Sequence, residues 1–160
     1  MFMPHRPYIP LDSLRGAVTY PLPPDAFTEE AVRAALTRVR LDRLTDMLDK
    51  KARWDQELTL DEQQRIAFAR ALLHKPAWIV QDEAMSELDD DSRKLAESIF
   101  KHDLAGTALV SIGKRSDDGN FYERIFNLEA RPPAMTLPLR LAAAPPGDLQ
   151  ERQERMNAGD

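Results

Sequence analysis

Proline placement constrains this chain more than any other feature. Of its 12 prolines, six fall between Pro4 and Pro24 and five between Pro132 and Pro146, with Pro76 by itself between the two groups. Each proline fixes φ and removes a backbone donor, so a dense cluster opposes both a helix interior and a central strand. The first cluster reads as an extended, irregular lead-in and the second as a linker, which leaves about a hundred residues for one folded core. After Gly147 the polar stretch DLQERQERMNAGD reads as a frayed helix or a solvated tail.

Within that frame the apolar residues keep a helical period. Val32, Leu36 and Val39, then Leu41, Leu44 and Leu48, recur at steps of three and four, which predicts two short amphipathic helices forming a small lobe. Thr59-Leu60-Asp61-Glu62 is a capping box ahead of Ile66, Ala69, Leu72 and Leu73, so a helix starts at Thr59 and stops before Pro76. Ala77-Trp78-Ile79-Val80 and Thr107 to Ile112 read as buried strands. Between them Leu95, Ala96, Ile99, Phe100 and Leu104 follow the start signal Asp89-Asp90-Asp91-Ser92. The result is strand, crossover helix, strand, an α/β unit with a parallel pair. Arg124 to Leu128 reads as a further strand.

Charge and cysteine content exclude several classes. A formal net charge of −5 provides no summed positive field for a nucleic-acid backbone, so no nucleic-acid partner is expected. With no cysteine there is no disulfide framework, thiolate zinc site, iron–sulfur cluster or cysteine nucleophile. No apolar run approaches the roughly 18 residues of a membrane span, and MFMPHRPYIP lacks the basic and apolar regions of a signal peptide. The expectation is a soluble chain on the cytoplasmic side.

In an open parallel sheet, ligands collect beyond the carboxyl ends of the strands. Asp82-Glu83 follows one strand and Gly113-Lys114-Arg115 the other, so parallel pairing brings an acidic and a basic cluster to one rim. That combination suits a metal-bound phosphate. Asp89 to Asp91 are better explained as favourable charges at a helix N-terminus. His5, His74 and His102 have no metal-ligand spacing, and the six scattered glycines never form G-x-x-x-x-G-K-[ST]. The chain therefore has no phosphate-cradling loop of its own.

The run LTLDEQQRIAFARALLHKPAWIVQDEAMSELD, residues 58 to 89, closely resembles the signature-to-D-loop stretch of an ATP-binding cassette (ABC) transporter nucleotide-binding domain. MFMPHRPYIPLDSLRGAVTYP resembles its Q-loop segment, and SIGKR its switch segment. The wording is most similar to the fused permease-ATPase subfamily of peptide-antibiotic, cobalamin and peroxisomal acyl transporters. The resemblance covers roughly residues 1 to 130, about the second half of such a domain by size. It implies a P-loop NTPase-like parallel sheet with a small helical subdomain. By this reading 1–57 hold the Q-loop segment and helical subdomain, 58–130 the signature, Walker B, D-loop and switch, and 131–160 a linker and tail.

By resemblance, Asp82 is the Walker B aspartate that holds magnesium through water, and Glu83 the general base for the attacking water. Thr59, Leu60, Asp61 and Glu62 occupy the signature, and Asp89 the D-loop. The family implies ATP and Mg2+, a second nucleotide-binding domain (a homodimer included), a permease domain, and a place at the cytoplasmic face of the membrane. Three departures cut against activity: His5 replaces the Q-loop glutamine, Lys114 the switch histidine, and Asp61 a signature glycine. A like charge about 4 Å from a phosphate costs on the order of 4 kcal/mol at an effective dielectric near 20. Gln81 places an amide at a normally apolar strand position, and Arg40 sits where a helix-ending glycine is expected. Coupling of ATP to transport, with this isolated chain inactive, is one reading. A non-catalytic, degenerate cassette acting as an interaction module is the other.

Overall fold

The computed structural model describes residues 1–85, 88–113, 121–126 and 128. Residues 1–123 form one unit and 124–160 another. In the second, the Arg124 guanidinium carbon lies 5.0 Å from the Phe126 ring centroid.

The first unit has a three-stranded parallel sheet in the order β1-β2-β3, with β1 Phe2–Met3, β2 Trp78–Asp82 and β3 Ala108–Ile112. Phe2 pairs with Val80, and Trp78 to Asp82 run in register with Ala108 to Ile112. The central strand is thus β2, and the expected parallel pair is its contact with β3. The crossover is α5, Asp90–Ser98, continued by one π-helical turn over Ile99–Asp103. Asp89 caps α5 by accepting from Ser92 N at 2.7 Å, which is the role its position at a helix start predicts.

The helix expected after Thr59 is α4, Leu60–His74. Both halves of its capping box form: Glu62 N donates to Thr59 Oγ1 at 3.2 Å and Thr59 N to Glu62 Oε2 at 3.0 Å. Lys75 ends it in the left-handed region (φ 41°), ahead of Pro76. In the apolar stripe of α4, Ile66 and Ala69 are buried and Leu72 and Leu73 half-buried, with Phe68 edge-on to Phe100 at 6.0 Å between ring centroids.

The small lobe forms from α2, Glu29–Arg38, and a 3-10 turn over Asp42–Met47 where a second α-helix was expected. All six residues that marked its period, Val32, Leu36, Val39, Leu41, Leu44 and Leu48, are buried. Arg40 takes φ 57°, the left-handed conformation its place after a helix calls for even without glycine.

Further sequence expectations change: β3, read as a buried strand, is half-buried at Ala108 and Leu109 and exposed from Val110 to Ile112. The proline-rich lead-in is not wholly irregular: it contributes β1 and the helix α1, Leu14–Thr19. Ser13, in the proline-free stretch from Leu11 to Tyr20, accepts from Gly16 N at 3.1 Å and starts the turn, and Leu14, Ala17 and Val18 sink into the core. A short helix α3, Trp54–Glu57, was also missed; it buries Trp54, whose indole N–H donates to Lys50 O at 3.2 Å. The strand expected from Arg124 to Leu128 is not formed by the described residues there, 124–126 and 128, where Ile125, Phe126 and Leu128 are exposed. An apolar run becomes a strand only where an edge accepts its backbone. The expected linker and tail, 131–160, lie outside the described residues. Among the described residues no helix is long and apolar enough to cross a membrane.

Candidate functional site

The carboxyl end of β2 carries Asp82, which is exposed, and the chain turns sharply at once: Glu83 sits at φ 49° and donates its N–H to Ile112 O at 2.8 Å. A left-handed glutamate costs on the order of 1 kcal/mol of backbone strain, and such residues concentrate where a side chain must be aimed. His5 Nδ1 lies 3.5 Å from Glu83 O. The chain thus brings together His5, Asp82 and Glu83 from segments some eighty residues apart. His5 is held there by Gln64 of α4, whose Nε2 donates to the His5 and Pro4 carbonyls. Gly113 follows β3 on the same side as Asp82, since Asp82 registers with Ile112. Lys114 lies outside the described residues.

A second group surrounds the N-terminus of α4. Thr59 and Leu60 begin the helix, and Asp61 and Glu62 stand in its first turn. Asp61 is held by Arg65 Nη2 one turn on, and Arg65 Nη1 donates to Arg40 O at 3.1 Å. The Asp61 charge is therefore not bare. The like-charge cost expected for a nearby phosphate is reduced by a guanidinium in contact, a partner that the i,i+4 spacing Asp61–Arg65 made visible in the sequence. Asp61 Oδ1 remains buried without a hydrogen bond, as does Arg65 Nε.

Glu62 receives Arg43 Nε at 3.1 Å. Burial pushes the Glu62 carboxyl up, but donation from Arg43 and from the Thr59 backbone outweighs it and leaves the group below its ordinary 4.5. Donation from Ser92 holds Asp89 below 3.8, with the Arg65 charge adding to the effect. Arg65 therefore lies within electrostatic reach of both Asp61 and Asp89. Sequence reasoning missed Arg65, Gln64 and Arg43 as parts of the site's frame.

Gln81, flagged as an amide in an apolar place, is 1% exposed and donates to Ser111 Oγ at 2.8 Å and Tyr122 Oη at 3.2 Å, while its Oε1 has no partner. The amide thus ties β2 to β3 and to Tyr122. His74, which has no metal-ligand spacing in the sequence, closes α4 half-buried, with Nε2 3.0 Å from Thr19 O and its ring edge-on to Phe27. No group of three or more His, Cys, Asp or Glu able to hold a metal exists among the described residues.

The chain is similar to known proteins in sequence and in fold. A curated Haemophilus influenzae protein described as an uncharacterized ABC transporter ATP-binding protein is 35% identical over 116 residues, 72% of this chain and 20% of that protein. The chain belongs to the ABC ATP-binding family. ABC transporter D family member 1 of Arabidopsis thaliana is 31% identical over 134 residues, 80% of this chain and 10% of its own length. A bacterial Atm1-family ABC exporter solved with ATP bound superimposes with a TM-score of 0.60 at 22% identity, over 71% of this chain and 21% of that one. The ABC cassette fold is therefore the fold of this chain. It spans about a fifth of the length of the first curated relatives it matches. No family model matches it.

A nucleotide and magnesium fit this set of residues only in part. Asp82 offers the oxygen donor that a hard cation prefers. None of the described glycines, Gly16, Gly106 and Gly113, stands in a phosphate-cradling motif, so the residues present do not enclose a triphosphate.

Proposed function

We propose that this chain is the signature, Walker B and D-loop part of an ABC nucleotide-binding domain, contributing one wall of an ATP site in a transporter. The observation that carries the reading is Asp82-Glu83 at the carboxyl end of the central parallel strand, with Glu83 held in a left-handed turn beside His5. Asp82 is the magnesium-side acid and Glu83 the base facing water. Thr59, Leu60, Asp61 and Glu62 form the signature, Asp89 the D-loop, and His5 and Lys114 the Q-loop and switch positions. The division into 1–57, 58–130 and 131–160 follows the same assignment. ATP and Mg2+ are its ligands, a second nucleotide-binding domain and a permease its partners, and the cytoplasmic face of a membrane its place.

Positioning and charge stabilisation of phosphates come mainly from a P-loop, so the isolated chain is inactive. Purified chain incubated with Mg-ATP is expected to release no phosphate. Magnesium-dependent release that Glu83→Gln abolishes would overturn the inactivity. The Asp61–Arg65 pair in place of a signature glycine supports a second reading, a non-catalytic, degenerate cassette that acts as an interaction module. A complex with a partner cassette that forms equally well with and without ATP favours that second reading. A complex that forms only with ATP favours the first.

A further inference from the structure

A cavity of about 610 Å3 lies beside β1 and the C-terminal half of α4, with Phe2, Tyr8, Tyr20, Ala67, Arg70 and His74 among its lining residues. Arg70 and His74 lie near Pro76, which leads into β2, whereas Asp82 closes β2 at its other end. The lining also runs along β1 to Met3 and Pro4, next to His5, so it is the Arg70 end of the cavity that lies away from the acidic rim.

Its polar equipment is cationic and its body apolar. Arg70 is 6% exposed, and its Nε and Nη2 donate to Ala17 O at 2.8 and 2.6 Å. Nη1 makes no hydrogen bond among the described residues and is not one of the buried atoms left without a partner, so it stays accessible, and no carboxylate pairs with the guanidinium among the described residues. The other group in contact is the Tyr20 ring, 5.2 Å from the guanidinium carbon. Burial pulls Arg70 down to about 10, still charged at neutral pH. The cavity wall itself carries no acid. A buried cation without an anion in contact is costly, and an incoming carboxylate would remove that cost. A phosphate dianion is less suited, because one guanidinium among aromatic, proline and methionine side chains replaces too little of its hydration.

We propose that this cavity binds a small amphiphilic monocarboxylate, its head on Arg70 and its apolar body against Phe2, Tyr8 and Tyr20. The assignment does not depend on the ATP-site reading. The probe is decanoate below its micelle-forming concentration, titrated calorimetrically into the full 160-residue chain, with decanol and decylamine for comparison. Decanoate is expected to bind saturably at one site, decanol at least tenfold more weakly, and decylamine not at all. Arg70→Met is expected to erase the preference for decanoate over decanol. Because Arg70→Met also frees the Ala17 carbonyl and can unfold the chain, Ala67→Leu, which adds bulk to the wall, serves beside it and is expected to weaken decanoate at least tenfold. Equal binding of decanoate and decanol, no saturable binding to the folded chain, or full affinity in Ala67→Leu would each overturn the proposal.

Discussion

The two faces of the sheet are built from the same strands and from similar residues, yet one is buried along β1 and β2, with Leu109 half-buried and Ser111 exposed at the β3 edge, and the other is largely open. On one face Met3, Ile79 and Gln81 are 1%, 0% and 1% exposed. On the other, Phe2, Trp78, Val110 and Ile112 are 61%, 63%, 44% and 53% exposed. Apolar character therefore does not decide coverage here. A strand alternates its side chains between faces, and only one face has a layer supplied by the described residues. A contiguous apolar patch of this kind is typical of a surface that something else covers.

The largest effect should come from the covered side. Phe68→Ala removes a ring that is 1% exposed and the edge-on contact with Phe100, and is expected to cost about 3–5 kcal/mol in urea unfolding. A loss below about 1 kcal/mol would show that the covered face is not close-packed.

Acid should weaken the same side next. The Glu62 carboxyl is depressed in the folded chain, so its contribution is present above its ordinary 4.5 and is lost as pH falls through its lower folded value. Between about pH 5 and pH 3 the unfolding midpoint is expected to fall more steeply in the unmodified chain than in Glu62→Gln. Parallel curves would remove Glu62 from the frame of the signature helix.

Thr59→Ala, which deletes the cap, is expected to cost about 1 kcal/mol by the same unfolding measurement. The smallest effect belongs to the open face. Trp78→Thr should change monomer stability by less than about 0.5 kcal/mol while lowering self-association in analytical ultracentrifugation. A loss as large as that of Phe68→Ala would mean that Trp78 is already packed, and the contrast between the faces would fail.

Local signals were legible wherever a single segment carried its own instructions. The capping box at Thr59, the stop at Pro76 and the Asp89 cap formed as read because each rests on contacts within a few residues, and the strand–helix–strand order formed as read although its strands pair across thirty residues. The lead-in was misread because proline density masked the capped turn at Ser13, whose worth lay in burying Leu14 and Val18 against distant residues. The second lobe helix shrank to a 3-10 turn because periodicity reports burial, which was right, and says little about which helix achieves it.

The candidate site divides in the same way. Asp82 and Glu83 could be placed at a strand end from sequence, since alternation and the βα turn are local. What the sequence could not give was the company they keep: His5 beside Glu83, Gln64 holding His5, and Arg65 reaching Asp89 as well as Asp61. The Asp61–Arg65 pair lies at helical i,i+4 spacing and was within reach of the sequence, whereas the His5, Gln64 and Asp89 neighbours are chosen by packing across some twenty to eighty residues of chain, where no periodicity links one position to another. By itself the sequence determined the order and type of the central elements, because helix caps and strand alternation are short-range physics. Only the tertiary structure decided which face of the sheet is covered and which charge neutralises which, because both depend on residues that meet only after the chain has folded.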